Sequence, residues 1–148
     1  MFTPKRILVP TDFSSFSDKA LKKAVEIAAE KGATIYLLHV IDQQVQQCAA
    51  DYCIDATIVK QMEREAVKTS RELLAKQAAA VTAGKKVEVV YDVQMGYPSE
   101  VIVDEQKKKK IDLIVIASHG KTGLKKLLLG SVAERVVRGA KCSVIVVK

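Results

Sequence analysis

A chain of 148 residues, 49% hydrophobic and 28% charged, has the composition of one soluble globular domain and can bury a sizeable core without disulfides or a structural metal. No apolar run approaches the roughly 20 residues that cross a bilayer, and three cysteines, an odd number, argue against a disulfide framework. The net charge of +7 falls wholly in residues 101–148, with 11 Lys and Arg against 4 Asp and Glu; residues 1–100 hold 13 of each.

That field is expected to accompany the functional loop described below and to favour an anionic ligand. Nucleic acid is disfavoured, because no interleaved aromatics are present to stack on bases. Met1 to Arg6 leads straight into a strand-like run without a signal-peptide pattern, so a cytoplasmic protein with no membrane insertion is expected.

Ile7-Leu8-Val9 reads as the first strand. A helix is predicted from about Ser15 to Lys31, capped by Ser14 or Ser15, with Gly32 where a C′ glycine belongs. Thr34 to Ile41 is nearly continuous in apolarity, as in a strand covered on both faces, with His39 as a core or edge histidine. Residues 42–54 are polar without clear periodicity and read as a long loop. Cys48 and Cys53 within it read as reduced thiols, since zinc-ligand spacing and a nearby histidine are missing.

A long helix follows from about Ala56 to Ala83, with Val59, Met62, Ala66, Leu73 and Ala80 as its expected buried stripe and Gly84 as its stop. Val87 to Val93 alternates in polarity and reads as an edge strand. Pro98 suits the first turn of a short helix ending near Lys110. There Lys107 to Lys110 suit the negative pole of the helix dipole. Leu113 to Ala117 is the fourth strand, a final helix starts near Ser131, and Ser143 to Val147 is the fifth strand. Strands alternating with helices predict a single α/β domain: an open parallel five-stranded sheet with helices on both faces.

The most informative stretch is Ala117-Ser118-His119-Gly120, nine residues, then Gly130-Ser131. A buried strand emptying into a glycine-containing loop and a helix start suits an anion, because the first N–H groups of a helix lack partners and carry partial positive charge. Strand order 3-2-1-4-5 would bring Pro10-Thr11-Asp12, after the first strand, to the same crevice. Other readings stay open: Asp12 could cap the first helix, Gly130 could serve a turn, and Ser131 with Glu134 fits a capping box that needs no ligand. Neither a Walker A lysine pattern nor G-x-G-x-x-G is present.

These residues resemble the nucleotide-binding branch of the universal stress protein family. Its mark is glycine, two residues, glycine, nine residues, glycine, then serine or threonine after the fourth strand. Here the positions are Ala117, Gly120, Gly130 and Ser131, with alanine at the first glycine. Ile7-Leu8-Val9-Pro10-Thr11-Asp12 and Val144-Ile145-Val146-Val147 are similar too, and the likeness spans the chain apart from residues 42–54.

The resemblance implies ATP with Mg²⁺ as ligand. Asp12, beside Pro10 and Thr11, would approach the ribose or a phosphate-bound metal, and Val40 would offer backbone groups to the adenine edge. Ser118, His119, Gly120, Lys121, Thr122 and Gly123 would surround the phosphates, with Lys121 a point charge and His119 passive. Gly130, Ser131 and Val132 would bind through N–H groups and a hydroxyl, while the Ala117 methyl could crowd the phosphates. The resemblance further implies a homodimer through the edge of Ser143 to Val147, and an unidentified protein partner that reads the nucleotide state. A slow ATPase using Asp12 or His119, and a dimeric interaction module without nucleotide, stand as the other two readings.

Overall fold

Five parallel strands form one sheet in the order β3-β2-β1-β4-β5. They are β1 (Arg6–Pro10), β2 (Thr34–Asp42), β3 (Val89–Gly96), β4 (Leu113–Ala117) and β5 (Ser143–Val147). The expected order is therefore the observed one, with β3 and β5 as the edges. The computed structural model describes residues 1–121 and 129–148, apart from the side chains of Val45, Gln46 and Ala49.

Alternate strand residues feed two cores. Ile7, Val9, Ile35, Leu37, Leu113 and Val115 point to one face, where α1 (Ser15–Lys31) and α3 (Ala56–Thr82) cover them. Leu8, Leu38, Ile114 and Ile116 point to the other face, with α4 (Pro98–Lys108) and α5 (Ser131–Gly139). Burial on both faces is why β2 and β4 read as unbroken apolar runs.

Helix α1 has its predicted bounds. The Ser14 hydroxyl accepts the Ser17 N–H, and Gly32 closes the helix at φ 67°, a conformation that favours glycine. Helix α4 opens on Pro98 as expected. Between it and the sheet, the Lys109 ammonium lies 2.8 Å from Asp92 and also pairs with the buried Glu105, while Gln94 donates to both carboxylates. Burial opposes the charge on Lys109 and on Asp92. Their pairing overcomes it, holding the lysine above its ordinary range and Asp92 below its own.

Two expectations are corrected. Residues 42–54 contain a helix, α2 (Gln44–Asp51). Its apolar pattern, Val45, Cys48 and Ala49, is helical in spacing but only eight residues long; glutamine and alanine have high helix propensity, and the Asp42 carboxylate accepts the Gln44 N–H at its start (3.0 Å). The long helix has the expected extent but a different stripe. Its buried residues are Ser70, Leu74 and Ala78, whereas Met62 and Leu73 are exposed. Leu74 and Ala78 enter the core shared with α1, and beside them Gln77 donates to Asp18 (2.6 Å); this mixed polarity hides the phase of the face from a hydrophobic pattern.

Candidate functional site

At the carboxyl end of β1 the chain turns sharply. The Thr11 N–H still donates to Leu38 of β2 (2.8 Å), and the Thr11 hydroxyl turns inward, donating to Gln77 (2.9 Å) and standing 2.9 Å from the Ser17 hydroxyl. Thr11 thereby ties the turn to α1 and α3. Phe13 follows at φ 64°, a conformation uncommon for a residue with a side chain. The turn holds it by the Phe13 N–H donating to Thr11 Oγ1 and the Ser14 N–H donating to Asp12 Oδ1.

Asp12 joins this turn to the loop after β4. Its Oδ2 accepts the Lys121 N–H (2.8 Å). A Cβ on Gly120 would meet the same oxygen at 2.8 Å, so only glycine leaves the carboxylate its place. Burial raises the Asp12 pKa, but hydrogen bonds from Ser14, Lys121 and Ser17 outweigh it and hold the carboxyl below its ordinary value. Asp12 is thus a fixed anion. Beside a phosphate it would be repulsive, whereas ribose hydroxyls or a metal ion suit it.

Ser118 organises the other wall. Its N–H donates to Val147 of β5 (2.8 Å), its carbonyl accepts the Gly130 N–H (2.6 Å), and its hydroxyl lies 2.9 Å from His119 Nδ1. A Cβ on Gly130 would press on the Ser118 carbonyl at 3.0 Å, so the close approach of α5 to β4 needs glycine there. Gly130 is the N-cap of α5 and offers no capping side chain. Ser131, in the first helical position, does not make the S-x-x-E box. The Glu134 N–H returns to the Gly130 carbonyl, and the Glu134 carboxylate pairs with Arg138. The Gly130 N–H is engaged by Ser118, so the next N–H groups of this helix start are those of Ser131 and Val132.

Ala117 pairs with Val147 in register and packs into the core with Leu113 and Val115. Its φ is not positive, so the position does not demand glycine.

The backbone of Val40 has a definite direction. Thr34 donates to Lys5 and Leu38 accepts from Thr11, so even-numbered residues of β2 face β1; Ile35 donates to Glu88, so odd ones face β3. Val40 therefore turns its N–H and C=O to the side of β1, beyond the point where that strand ends at Pro10.

His39, read from the sequence as a core or edge histidine, stands beside the site. Its Nδ1 donates to the Thr11 carbonyl (2.8 Å) and its ring lies 4.4 Å, centre to centre, from that of Phe13. Burial lowers its pKa, aided by Lys121 and opposed by the Thr11 carbonyl and Asp12. Neutral His39 buttresses the turn that carries Asp12. A lone polar residue in an apolar strand, next to the strand end, was the available signal.

Pro10, Thr11, Asp12, Val40, Ala117 to Lys121 and Gly130 to Val132 thus gather at the carboxyl ends of β1, β2 and β4. Thr122 and Gly123 lie outside the described residues. The charge argument is corrected. Lys107 to Lys110 end α4 before β4 begins, so they lie at the opposite pole, with Lys5, Lys85, Lys86 and Lys141. Five strand residues span about 16 Å, roughly twice the Debye length in physiological salt. Among the described residues of the basic half, Lys121 is at the crevice, while Lys107 to Lys110 and Lys141 lie at the other end of the sheet. Burial and the charge of Asp112 raise the thiol pKa of Cys142, which disfavours its thiolate. Among the described residues no His, Cys, Asp and Glu group could by itself hold a metal ion, and no helix is long and apolar enough to cross a membrane.

The model of the Universal stress protein family matches residues 3–148. The chain is 37% identical to Universal stress protein MJ0531 of Methanocaldococcus jannaschii, covering 97% of this chain and 82% of that protein. It is 32% identical to Universal stress protein YxiE of Bacillus subtilis, covering 97% and 98%. The solved structure of the protein MJ0577, from the same archaeon, superimposes with a TM-score of 0.80 at 34% identity, covering 99% of this chain and 97% of that one.

Proposed function

Because the chain belongs to the universal stress protein family and its strand ends converge on an uncapped helix start, we propose that it is an adenine-nucleotide-binding regulatory protein whose ligand is ATP with Mg²⁺. The carrying observation is the pair of links between segments remote in sequence: Asp12 to Lys121, and Ser118 to Gly130. They bring a fixed carboxylate, the first residues after β4 and the start of α5 together at one end of the sheet, which supports the reading. Two glycines stand where a methyl would strike Asp12 or the Ser118 carbonyl, which fits a phosphate chain lying close to backbone.

In this reading Ser131 and Val132 direct N–H groups at the phosphates, and the Ser131 hydroxyl adds a donor. Lys121 contributes charge. Asp12 takes the ribose hydroxyls or the ligands of the Mg²⁺, whose chemical contribution is to neutralise the phosphate oxygens. Val40 presents its backbone to the adenine edge, a donor and an acceptor on one side. Ala117 is accommodated, since its methyl is already part of the core. Nucleotide occupancy then shifts the loop between two arrangements that a protein partner distinguishes.

The working unit is a homodimer joined along β5. The Val147 carbonyl accepts from Ser118, so the backbone of residues 143, 145 and 147 faces β4 and that of Val144 and Val146 faces outward. An apolar edge of this kind invites pairing.

Native mass spectrometry of protein purified without added ligand tests the reading. Retained adenine nucleotide, recovered unchanged after incubation, is the expected result. Steady ADP production would instead support the hydrolytic reading. Absence of nucleotide binding in vitro would leave a dimeric interaction module.

A further inference from the structure

Helix α3 is longer than the core it covers. In its second half it closes on the sheet through Ser70, Leu74 and Ala78. Nearer its start, the apolar face of Val59, Met62 and Ala66, spaced by three and four residues, meets a cavity of ≈ 300 Å³. The floor is Ile41 of β2 and Met95 of β3, register partners on the same face of the sheet as Leu37 and Val93. Cys48, Tyr52 and Ile54, from α2 and the turn after it, form the opposite wall.

The surface presented to this space is almost wholly carbon and sulfur. Water there would lack the several polar partners it needs, so the space favours an apolar occupant. The two acidic side chains of the described lining are already engaged. Asp42 accepts the Gln44 N–H (3.0 Å), and Glu63 has its own interaction within the chain. An ammonium brought into the cavity would be desolvated without a dedicated partner. An anion fares no better. Residues 42–59 hold Asp42, Asp51 and Asp55 and no lysine or arginine, while Lys60 and Arg64 line a separate depression on another side of α3 with Thr57 and Gln61. Charge of either sign is disfavoured, and a neutral body is not. Met62 and Met95, long and unbranched, adapt to its shape.

We propose that this cavity binds a small neutral apolar molecule of about ten carbons, the size that fills it at the density of protein interiors. The ligand lies between Met62 and Ala66 of α3 and the floor of Ile41 and Met95, and the exposed Tyr52 and Ile54 stand at the mouth. The site is independent of the nucleotide reading, since nothing in its lining suits a phosphate.

The probe is N-phenyl-1-naphthylamine, a neutral molecule that fluoresces in apolar surroundings, titrated into the full chain. Saturable enhancement at one probe per chain is the expected result. Decanol, decanoate and decylamine then compete for the site, each below its solubility or micelle limit. Decanol should displace the probe at least tenfold more effectively than either ion. Ala66→Phe, which fills the lumen, and Met62→Glu, which puts a charge in its wall, should each weaken probe binding at least tenfold. Met62 is exposed, so Met62→Glu decides the matter should Ala66→Phe fail to fold. Leu73→Ala removes an exposed apolar residue of α3 outside the cavity and should leave binding unchanged. Absent or unsaturable enhancement overturns the proposal. So does equal displacement by either ion, binding that survives in Met62→Glu, or an equal loss in Leu73→Ala. Enhancement that appears only with self-association in sedimentation also overturns it, making this face a contact between copies of the chain.

Discussion

The Asp12 carboxylate accepts the backbone N–H of Lys121, 109 residues away in sequence, at 2.8 Å. This bond holds the loop after β4 against the turn after β1, and it keeps a negative charge where a nucleotide's ribose or metal would be read. Asp12→Asn retains one acceptor but places an amide donor toward either Ser14 or Lys121. A loss of about 1 kcal/mol in urea denaturation is expected, with nucleotide binding losing much of its Mg²⁺ dependence. The folded-state pKa of Asp12 is depressed. Its stabilisation is therefore present above the unfolded value near pH 4 and is lost as pH falls through the folded value. Asp12→Asn should flatten the acid limb of the stability curve below about pH 4.

His39 gives a separable pH signature. Its depressed pKa means that the unfolded chain takes up a proton more readily. Stability is complete above the unfolded value of about 6.5 and declines as pH falls from there through the folded value. Thermal melts at pH 7.5 and 5.5 should show a smaller drop in His39→Gln than in the wild type. An equal drop in both would remove His39 as its source.

Lys109 neutralises two carboxylates in a half-buried setting, with side-chain exposures of 29% for Lys109, 26% for Asp92 and 5% for Glu105. Lys109→Met leaves both carboxylates facing each other. Discounted for partial exposure, a loss of about 2 kcal/mol is expected, read by urea denaturation. Asp92→Asn in the same background should recover part of it.

The β5 edge is tested without dismantling the core. Val146 directs its N–H outward, so Val146→Pro spares the ladder to β4 while disabling edge pairing. Sedimentation is expected to find a folded monomer for the variant and a dimer for the wild type. Removing all of β5 is a poorer test, because Val144 to Val147 also pack in the two cores.

Much of this molecule was legible in its sequence for a simple reason. Runs such as Ile35 to Leu38 and Leu113 to Ala117 are buried on both faces, and the helices between them carry caps such as Ser14 and Gly32. What escaped was whatever depended on folding geometry. Helix α2 is too short for its periodicity to stand out from the polar residues around it. Helix α3 packs through Ser70, Gln77 and Ala78 beside Leu74, a phase that a stripe drawn through Met62 and Leu73 misses. The charge of residues 101–148 divides between two poles because a strand separates Lys107–Lys110 from Gly120. The position of His39 against Thr11 and Phe13 required the β1–β2 register.

Titration of MgATP into the wild type and Gly130→Asp tests the central claim most directly. Gly130 is the N-cap of α5, where aspartate is itself a favoured cap whose carboxylate covers the N–H groups assigned to phosphate. A Cβ at position 130 presses on the Ser118 carbonyl at 3.0 Å, so the variant is expected to lose stability in urea denaturation yet keep its circular dichroism spectrum, and to bind at least tenfold more weakly than the wild type. Equal affinity in a folded variant would contradict the site.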